Sequence, residues 1–131
     1  RVIEQKSFEL YLGKESATLI YVIDNFSTNS YTIPKHGVWK LTEISNFIKS
    51  NIEKIKEIIV EGHTDDIGTY EWNMELSYKR AEEIRKHLFR RGVIFPIKIV
   101  GYGLLFPVEK TDKPQRKGKN RRVEIKIVLK D

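Results

Sequence analysis

A chain of 131 residues, 40% of them hydrophobic and with a formal charge of +6, is long enough to bury one core. We therefore predict a single domain over residues 1–131, in which the absence of cysteine excludes disulfide scaffolds and thiolate metal sites. No apolar run is long enough to cross a bilayer. Because the chain starts at Arg1 rather than Met, we expect a processed protein or an excised piece, with any export signal or membrane anchor lying upstream.

The first residues predict two strands. Alternating hydrophobic residues over residues 8–12 are typical of a half-buried strand, and residues 13–16 can turn the chain. Residues 17–26 are rich in Leu, Ile, Tyr and Val, which favours an interior strand and a hairpin with the first. Residues 1–18 are assigned as an N-terminal extension or an additional strand, without a defined role.

A helix is predicted next. Thr32 is the predicted N-cap, and Pro34 falls in the first turn, where a missing amide proton has little effect. The helix is expected to end near Asn51. Its predicted core residues recur at helical spacing and are Val38, Leu41, Ile44 and Ile48.

The central stretch predicts a buried strand, an acidic turn and a long helix. The strand centres on Ile58, and the turn runs from Gly62 to Gly68. Thr69 or a neighbouring residue is the predicted N-cap of the helix, and Gly92 suits the position just beyond its end. The predicted core face of this helix consists of Trp72, Leu76, Ala81, Ile84 and Leu88.

The last part of the chain predicts a strand over residues 97–101, a long loop over residues 104–119, and a closing strand from Val123 to Leu129. The complete order is strand, strand, helix, strand, helix, strand, strand. It predicts an α+β or α/β fold, with a mixed sheet built from two βαβ units, helices packed against the sheet, and parallel neighbouring strands. If the closing strand runs antiparallel, its start falls at the sheet edge that binds ligands in open α/β folds.

Several polar residues are predicted to converge at this edge. Asp65 lies in the turn that precedes the long helix, and Asn29 follows an earlier strand. Asn73 and Arg80 are nearly two helical turns apart and therefore lie on one face of the helix. A carboxylate, an amide and a guanidinium are thus offered to one small volume.

In this pattern the chain resembles the OmpA-like C-terminal domain, a family that anchors envelope proteins to peptidoglycan. The resemblance runs from about Phe26 to the end of the chain. The matching residues, taken in order, are Gly62-His63-Thr64-Asp65, Asn73, Leu76-Ser77, Arg80-Ala81, Gly101-Tyr102-Gly103, Pro107 and Asn120-Arg121-Arg122-Val123-Glu124. The loop before Asn120 departs from the family's common Gly-Arg pair and has a basic sequence over residues 116–119.

The resemblance implies how these residues bind. Asp65 would bind the ammonium group of a diaminopimelate residue in the peptide stem, and Arg80 would bind its carboxylate. Asn29, Asn73 and Arg121 would support them. The chemistry is consistent, because a guanidinium meets a carboxylate through two parallel hydrogen bonds.

The implied function is non-catalytic, non-covalent anchoring to peptidoglycan in the periplasm, with no cofactor and no metal. The implied protein is tethered to the outer or inner membrane by sequence outside this chain, as a lipoprotein, an outer-membrane protein or a flagellar stator anchor. A homodimer is one assembly that the sequence allows. No nucleophile elbow or carboxylate pair indicates an enzyme, and the aliphatic strands do not favour nucleic acid as a partner.

Each site residue also has an ordinary structural interpretation. Asp65 is of a type that binds backbone amides in turns, and Arg80 can cover the core with its stem. His63 lies near carboxylates but is predicted to be structural rather than a metal ligand. The alternative function is an α/β interaction domain that uses its basic helix and basic loop to bind another protein or nucleic acid.

Overall fold

A computed structural model describes the backbone of residues 5–11 and 14–131 and the side chains from residue 17 onward. Within these residues, five strands form one mixed sheet in the order β1-β2-β5-β3-β4. The elements in chain order are β1 (Gln5–Tyr11), β2 (Lys14–Ile23), α1 (Lys35–Ser50), β3 (Ile55–Gly62), α2 (Tyr70–Arg90), β4 (Ile97–Gly101) and β5 (Val123–Leu129). Short 3-10 helices cover Ile52–Lys54 and Pro114–Lys119. The predicted fold class is confirmed.

The closing strand occupies a central position in the sheet. β5 lies between β2 and β3 and is antiparallel to both, as the sequence allowed. β3 and β4 are parallel neighbours, but β2 and β3 are not adjacent, so the prediction of parallel neighbours is wrong for the first unit. The reason is that the crossover through α1 leaves space for one strand. β5 fills it with Val123, Ile125 and Ile127, each 0% exposed.

The predicted N-terminal hairpin forms, since β1 and β2 pair antiparallel. β2 is already extended at Lys14, so the turn expected over residues 14–16 is wrong, and the strand ends at Ile23 before the buried Phe26. The side chains of residues 8–11, on which the predicted alternation depends, and the whole of residues 12–13 lie outside what the structure describes.

α1 begins later than predicted. Pro34 is the N-cap in an extended conformation, no side chain caps the helix, and Thr32 lies outside it with its N–H donated to Ser30 Oγ. The core face is correspondingly shifted. Gly37 packs against Ile23, and Val38 is 36% exposed, contrary to its predicted burial. The other predicted core residues, Leu41, Ile44 and Ile48, are buried, and the helix ends at Asn51 as expected.

α2 matches its prediction closely. The Thr69 hydroxyl accepts a hydrogen bond from the N–H of Trp72 at 3.1 Å, and Gly92 follows the helix with a positive φ of 93°. Of the predicted core face, Trp72 is only partly buried, whereas Leu76, Ala81, Ile84 and Leu88 are buried. Among the described helices, none is long and apolar enough to cross a membrane.

Both helices pack on one face of the sheet, where their buried residues join those of β2, β3 and β5 in one core. α2 crosses the sheet at very short range. A Cβ on Gly62 would collide with the backbone oxygen of Ser77, and a Cβ on Gly101 would lie 2.7 Å from the backbone nitrogen of Tyr78. The two glycines therefore let α2 lie directly over the ends of β3 and β4, which fixes the position of the acidic turn between them.

We expect Gly62→Ala to lower the free energy of unfolding by about 3 kcal/mol or more, because the backbone of α2 cannot yield as a flexible side chain does. Gly92→Ala is the matched control. Its new Cβ would lie no closer than 3.5 Å to its neighbours. The free energy of unfolding should therefore fall only by the strain of the positive φ, about 1 kcal/mol. Urea denaturation measures both losses, and equal losses would contradict the close approach of α2.

Candidate functional site

The site lies at the edge of the sheet where β3 and β4 end and β5 begins. Backbone hydrogen bonds tie the connecting segments together at this edge. The N–H of Phe26 donates to the carbonyl of Arg121 at 3.1 Å, and the N–H of His63 donates to the carbonyl of Arg122 at 2.9 Å. Segments that are far apart in sequence are therefore fixed side by side.

Asp65 is 4% exposed and has a partner on each carboxylate oxygen. Oδ1 accepts from the N–H of Ile67, and Oδ2 accepts from Nη1 of Arg121, both at 3.1 Å. The turn hydrogen bond is the ordinary structural role considered for this residue. Arg121 also donates from Nε to the carbonyl of Phe26 at 2.6 Å, so this arginine joins the acidic turn to the end of the β2 segment.

Arg80 is the most deeply buried charged residue among those described, with 0% exposure. Its guanidinium donates three hydrogen bonds to backbone carbonyls, from Nε to Ser30 at 2.7 Å, from Nη1 to His63 at 3.0 Å and from Nη2 to Ser27 at 3.0 Å. It also lies 5.3 Å from the ring centroid of Phe26. These bonds use three of its five N–H groups.

Burial lowers the pKa of Arg80 to about 10, while nearby Asp65 acts to raise it and Arg121 acts to lower it. A pKa of about 10 leaves the guanidinium charged at neutral pH. These three predicted residues are therefore close enough to interact electrostatically, and two cations share one carboxylate. The cluster carries an excess positive charge that suits an additional anionic group.

The two predicted asparagines hold the surroundings. Asn73 is 1% exposed and donates from Nδ2 to the carbonyl of Ile67 at 3.1 Å, which braces the acidic turn from the helix side. Asn29 has a φ of 58°, is exposed, and accepts a hydrogen bond from Trp72 Nε1 at 3.1 Å. Asn29 is therefore at the outer rim, within the loop that Arg80 holds.

A cleft of about 240 Å³ opens beside Asp65. Its lining residues are Thr64, Asp65, Asp66, Leu104, Pro107, Glu109, Lys110, Thr111 and Asn120. Across the neighbouring rim, Lys117 Nζ lies 2.6 Å from Asp66 Oδ1, and this hydrogen bond lowers the pKa of Asp66. The basic loop thus contacts the acidic turn instead of projecting freely.

The wall of this cleft was not predicted from the sequence. Asn120 is buried, and its Oδ1 accepts from the N–H groups of Val108 and Glu109 at 2.8 and 2.9 Å. Its Nδ2 donates to the carbonyl of Glu109 at 2.7 Å. One side chain therefore shapes the loop that carries Glu109 into the cleft. The family motif contained this asparagine, but nothing local indicated what it would hold.

The opposite face of the sheet carries a second group of buried charges. His63 is 3% exposed, stacks on Tyr102, and has ligand atoms within 4.8 Å of those of Glu61 and Glu124. Arg122 pairs with Glu124 at 2.7 Å and Lys126 with Glu61 at 3.0 Å. Both carboxylates of this group already have a cationic partner, and the structural role of His63 stays a prediction.

Fold and site together define an α/β domain with buried opposite charges at one edge of its sheet. The OmpA family matches residues 25–121, and the chain belongs to that family.

Similar proteins include outer membrane protein A of Bordetella avium, 32% identical over 116 residues, which cover 86% of this chain and 58% of the relative. The peptidoglycan-associated lipoprotein of Pseudomonas aeruginosa is 39% identical over 72 residues, which cover 54% of this chain and 43% of the relative. The chain thus spans about half the length of these relatives.

Solved structures are similar as well. The peptidoglycan-associated lipoprotein of Burkholderia pseudomallei has a TM-score of 0.73 at 28% identity and covers 83% of this chain and 89% of its own. The C-terminal domain of Helicobacter pylori MotB has a TM-score of 0.74 at 26% identity and covers 84% of both chains.

We expect Arg80→Lys to lower the free energy of unfolding by about 2–4 kcal/mol, because a single ammonium cannot serve three carbonyls in the guanidinium positions. Arg121→Lys is the matched control, and since Arg121 is partly exposed and makes two hydrogen bonds, its loss should be about 1 kcal/mol. Chemical denaturation measures both. A smaller loss for the Arg80 variant would contradict the assigned network.

Proposed function

We propose that this chain is a non-enzymatic domain that binds peptidoglycan non-covalently through the diamino acid of the stem peptide, a residue of the diaminopimelate type. The observation that carries the proposal is the cluster of Asp65, Arg80 and Arg121 at one sheet edge. Family membership supports it, because the similar proteins of Pseudomonas aeruginosa and Burkholderia pseudomallei are named peptidoglycan-associated lipoproteins. Free ends of diaminopimelate are zwitterions and need one opposite charge for each end.

For the ammonium end, we assign Asp65. It opens onto the cleft that Asp66 and Glu109 also line, so an incoming cation meets three carboxylates and one lysine, Lys110. Asp65 keeps its turn hydrogen bond to Ile67 through Oδ1, while Oδ2 is shared with Arg121. An ammonium bound there replaces part of the charge that Arg121 now supplies.

For the carboxylate end, we assign Arg80, with Arg121 beside it. The segment over residues 27–30 covers Arg80, because two of its carbonyls accept the guanidinium N–H groups. The ligand carboxylate therefore takes the place of one or both carbonyls, and the covering segment moves outward on binding. Released from Asp65 by the ammonium, the Arg121 guanidinium completes the anion site.

The asparagines have supporting roles in this proposal. Asn73 fixes the backbone of the acidic turn through Ile67, so the Asp65 carboxylate keeps its direction when the ligand enters. Asn29 lies within the segment that must move, and its hydrogen bond with Trp72 defines the closed position of that segment.

We further propose that the chain folds as one domain and anchors an envelope protein to the cell wall in the periplasm, tethered to a membrane by segments outside this chain. A single amino-acid centre offers a small contact, so affinity per site should be modest. Many stem peptides on one sacculus raise the effective strength.

We expect Asp65→Ala to reduce co-sedimentation with purified sacculi to background. Removing the carboxylate leaves two cations facing the ligand ammonium, a loss of about 2–5 kcal/mol in a desolvated site. Glu75→Ala is the matched control, because this carboxylate is 58% exposed, is paired with Lys79 and does not line the cleft. Circular dichroism confirms that both variants are folded, and equal pelleting of the two would contradict the proposal.

The identity of the diamino acid is tested with two stem tripeptides that differ in one carboxylate, L-Ala-γ-D-Glu-diaminopimelate and L-Ala-γ-D-Glu-L-Lys. We expect the lysine peptide to bind about tenfold more weakly or worse, since the carbon that bears its side-chain ammonium carries no carboxylate for Arg80. Calorimetric titration gives both Kd values. Equal affinities would remove the carboxylate site from the proposal.

A further inference from the structure

A second concave surface lies at the far end of α2, away from the charged site. It is a groove of about 380 Å³ between the end of α2 and the start of β4. Its lining residues are Arg85, Lys86, Phe89, Arg90, Val93, Ile94, Phe95, Pro96 and Ile97. We call it the α2–β4 groove.

Two large apolar side chains at the groove are mostly exposed to solvent. Phe89 is 67% exposed and Ile94 is 82% exposed, although Val93 between them is buried at 2% and fixes the segment to the core. Large apolar side chains held at the rim of a concave surface indicate a contact with another molecule. The helix dipole accounts for basic residues at the end of α2, but not for these two side chains.

The charges at the groove have one sign. Arg85, Lys86 and Arg90 line it, and no carboxylate does. Arg85 has a weak, exposed ion pair with Glu82 at 3.7 Å. Among the described residues, no carboxylate lies within ion-pair distance of Lys86 or Arg90. The groove therefore has an apolar floor and a rim whose positive charges are largely available to a partner.

We propose that the α2–β4 groove binds an acidic segment of another polypeptide, in which carboxylates flank one or two large apolar side chains. The apolar side chains would enter between Phe89, Val93 and Phe95, and the carboxylates would meet Lys86 and Arg90. A second copy of this chain fits poorly, because a two-fold contact would bring the two basic rims together. A bilayer surface fits less well than an acidic segment, since a flat surface would not fill the apolar floor of the groove.

The position of the groove gives this contact a consequence. α2 has 21 residues and is therefore about 30 Å long. The charged site is at the start of α2 and the ends of the parallel strands, whereas the groove is at the end of α2 and the start of β4. The two surfaces do not overlap, so the domain can bind the acidic segment in the groove while the charged site binds peptidoglycan, as proposed above.

The test uses the whole chain and a fluorescent peptide, acetyl-Glu-Glu-Leu-Phe-Glu-Glu, with NMR amide shifts to map its contact. We expect the shifts to concentrate on residues 85–97, and Phe89→Ala and Arg90→Glu each to weaken binding about tenfold. The matched controls are Trp39→Ala, an 80% exposed aromatic residue on α1, and Arg116→Glu in the basic loop, which should leave binding unchanged. Peptides with Ser for Leu and Phe, or with Lys for Glu, should not bind.

Three results would overturn the proposal. The first is the absence of shifts at millimolar peptide, and the second is binding that the groove variants and the control variants affect equally. The third is binding to vesicles of phosphatidylcholine and phosphatidylglycerol that Phe89→Ala abolishes, when the peptide does not bind. Retention of the peptide on chain pelleted with sacculi would separately show that the two surfaces are independent.

Discussion

The interaction on which the rest of the site depends is the burial of the Arg80 guanidinium. A cation with 0% exposure is costly unless its N–H groups are satisfied, and here three backbone carbonyls accept them. Two of these carbonyls belong to the segment after β2 and one to the end of β3. The arginine thus joins two parts of the chain that no backbone pairing in β2 or β3 connects directly, because β5 lies between those strands.

The hydrogen bonds of the site hold Asp65 and the segment over residues 27–30 in different ways. Asp65 is fixed by the turn, by Asn73 through Ile67, and by Arg121, so its carboxylate direction is set before a ligand arrives. The segment over residues 27–30 is bonded to Arg80 through two backbone carbonyls, and the side chains of residues 27–29 are exposed. A ligand carboxylate offers Arg80 a charged acceptor in place of neutral carbonyls, and charged acceptors form the stronger hydrogen bonds. In the proposed function, exchange of partners at Arg80 is the step that would couple binding to movement of this segment.

Local chemistry was predictable, whereas long-range contacts were not. Thr69 and Gly92 marked the ends of α2 because capping depends on a few adjacent residues. The shift of α1 was missed because Pro34 fits either the cap or the first turn, and only the packing of Gly37 against Ile23 decides between them. The sequence pattern and the family resemblance brought Asp65 and Arg80 to one edge. The complete burial of Arg80, the pairing of Arg121 with Asp65, and the bracing of the cleft by Asn120 depend on contacts between distant segments, which periodicity does not encode.

The central position of β5 explains why charges are buried on both sides of the sheet edge. The two arginines before β5 contact different faces of the sheet, because successive residues of an extended chain point in opposite directions. Arg121 turns to the helix-covered side and reaches Asp65, while Arg122 turns to the other face and pairs with Glu124. The N–H of His63 donates to the carbonyl of Arg122 and holds the beginning of β5 beside the end of β3, so Arg121 is positioned next to the Asp65 carboxylate. The backbone contact that joins β5 to the end of β3 thus also sets where the Arg121 guanidinium meets Asp65.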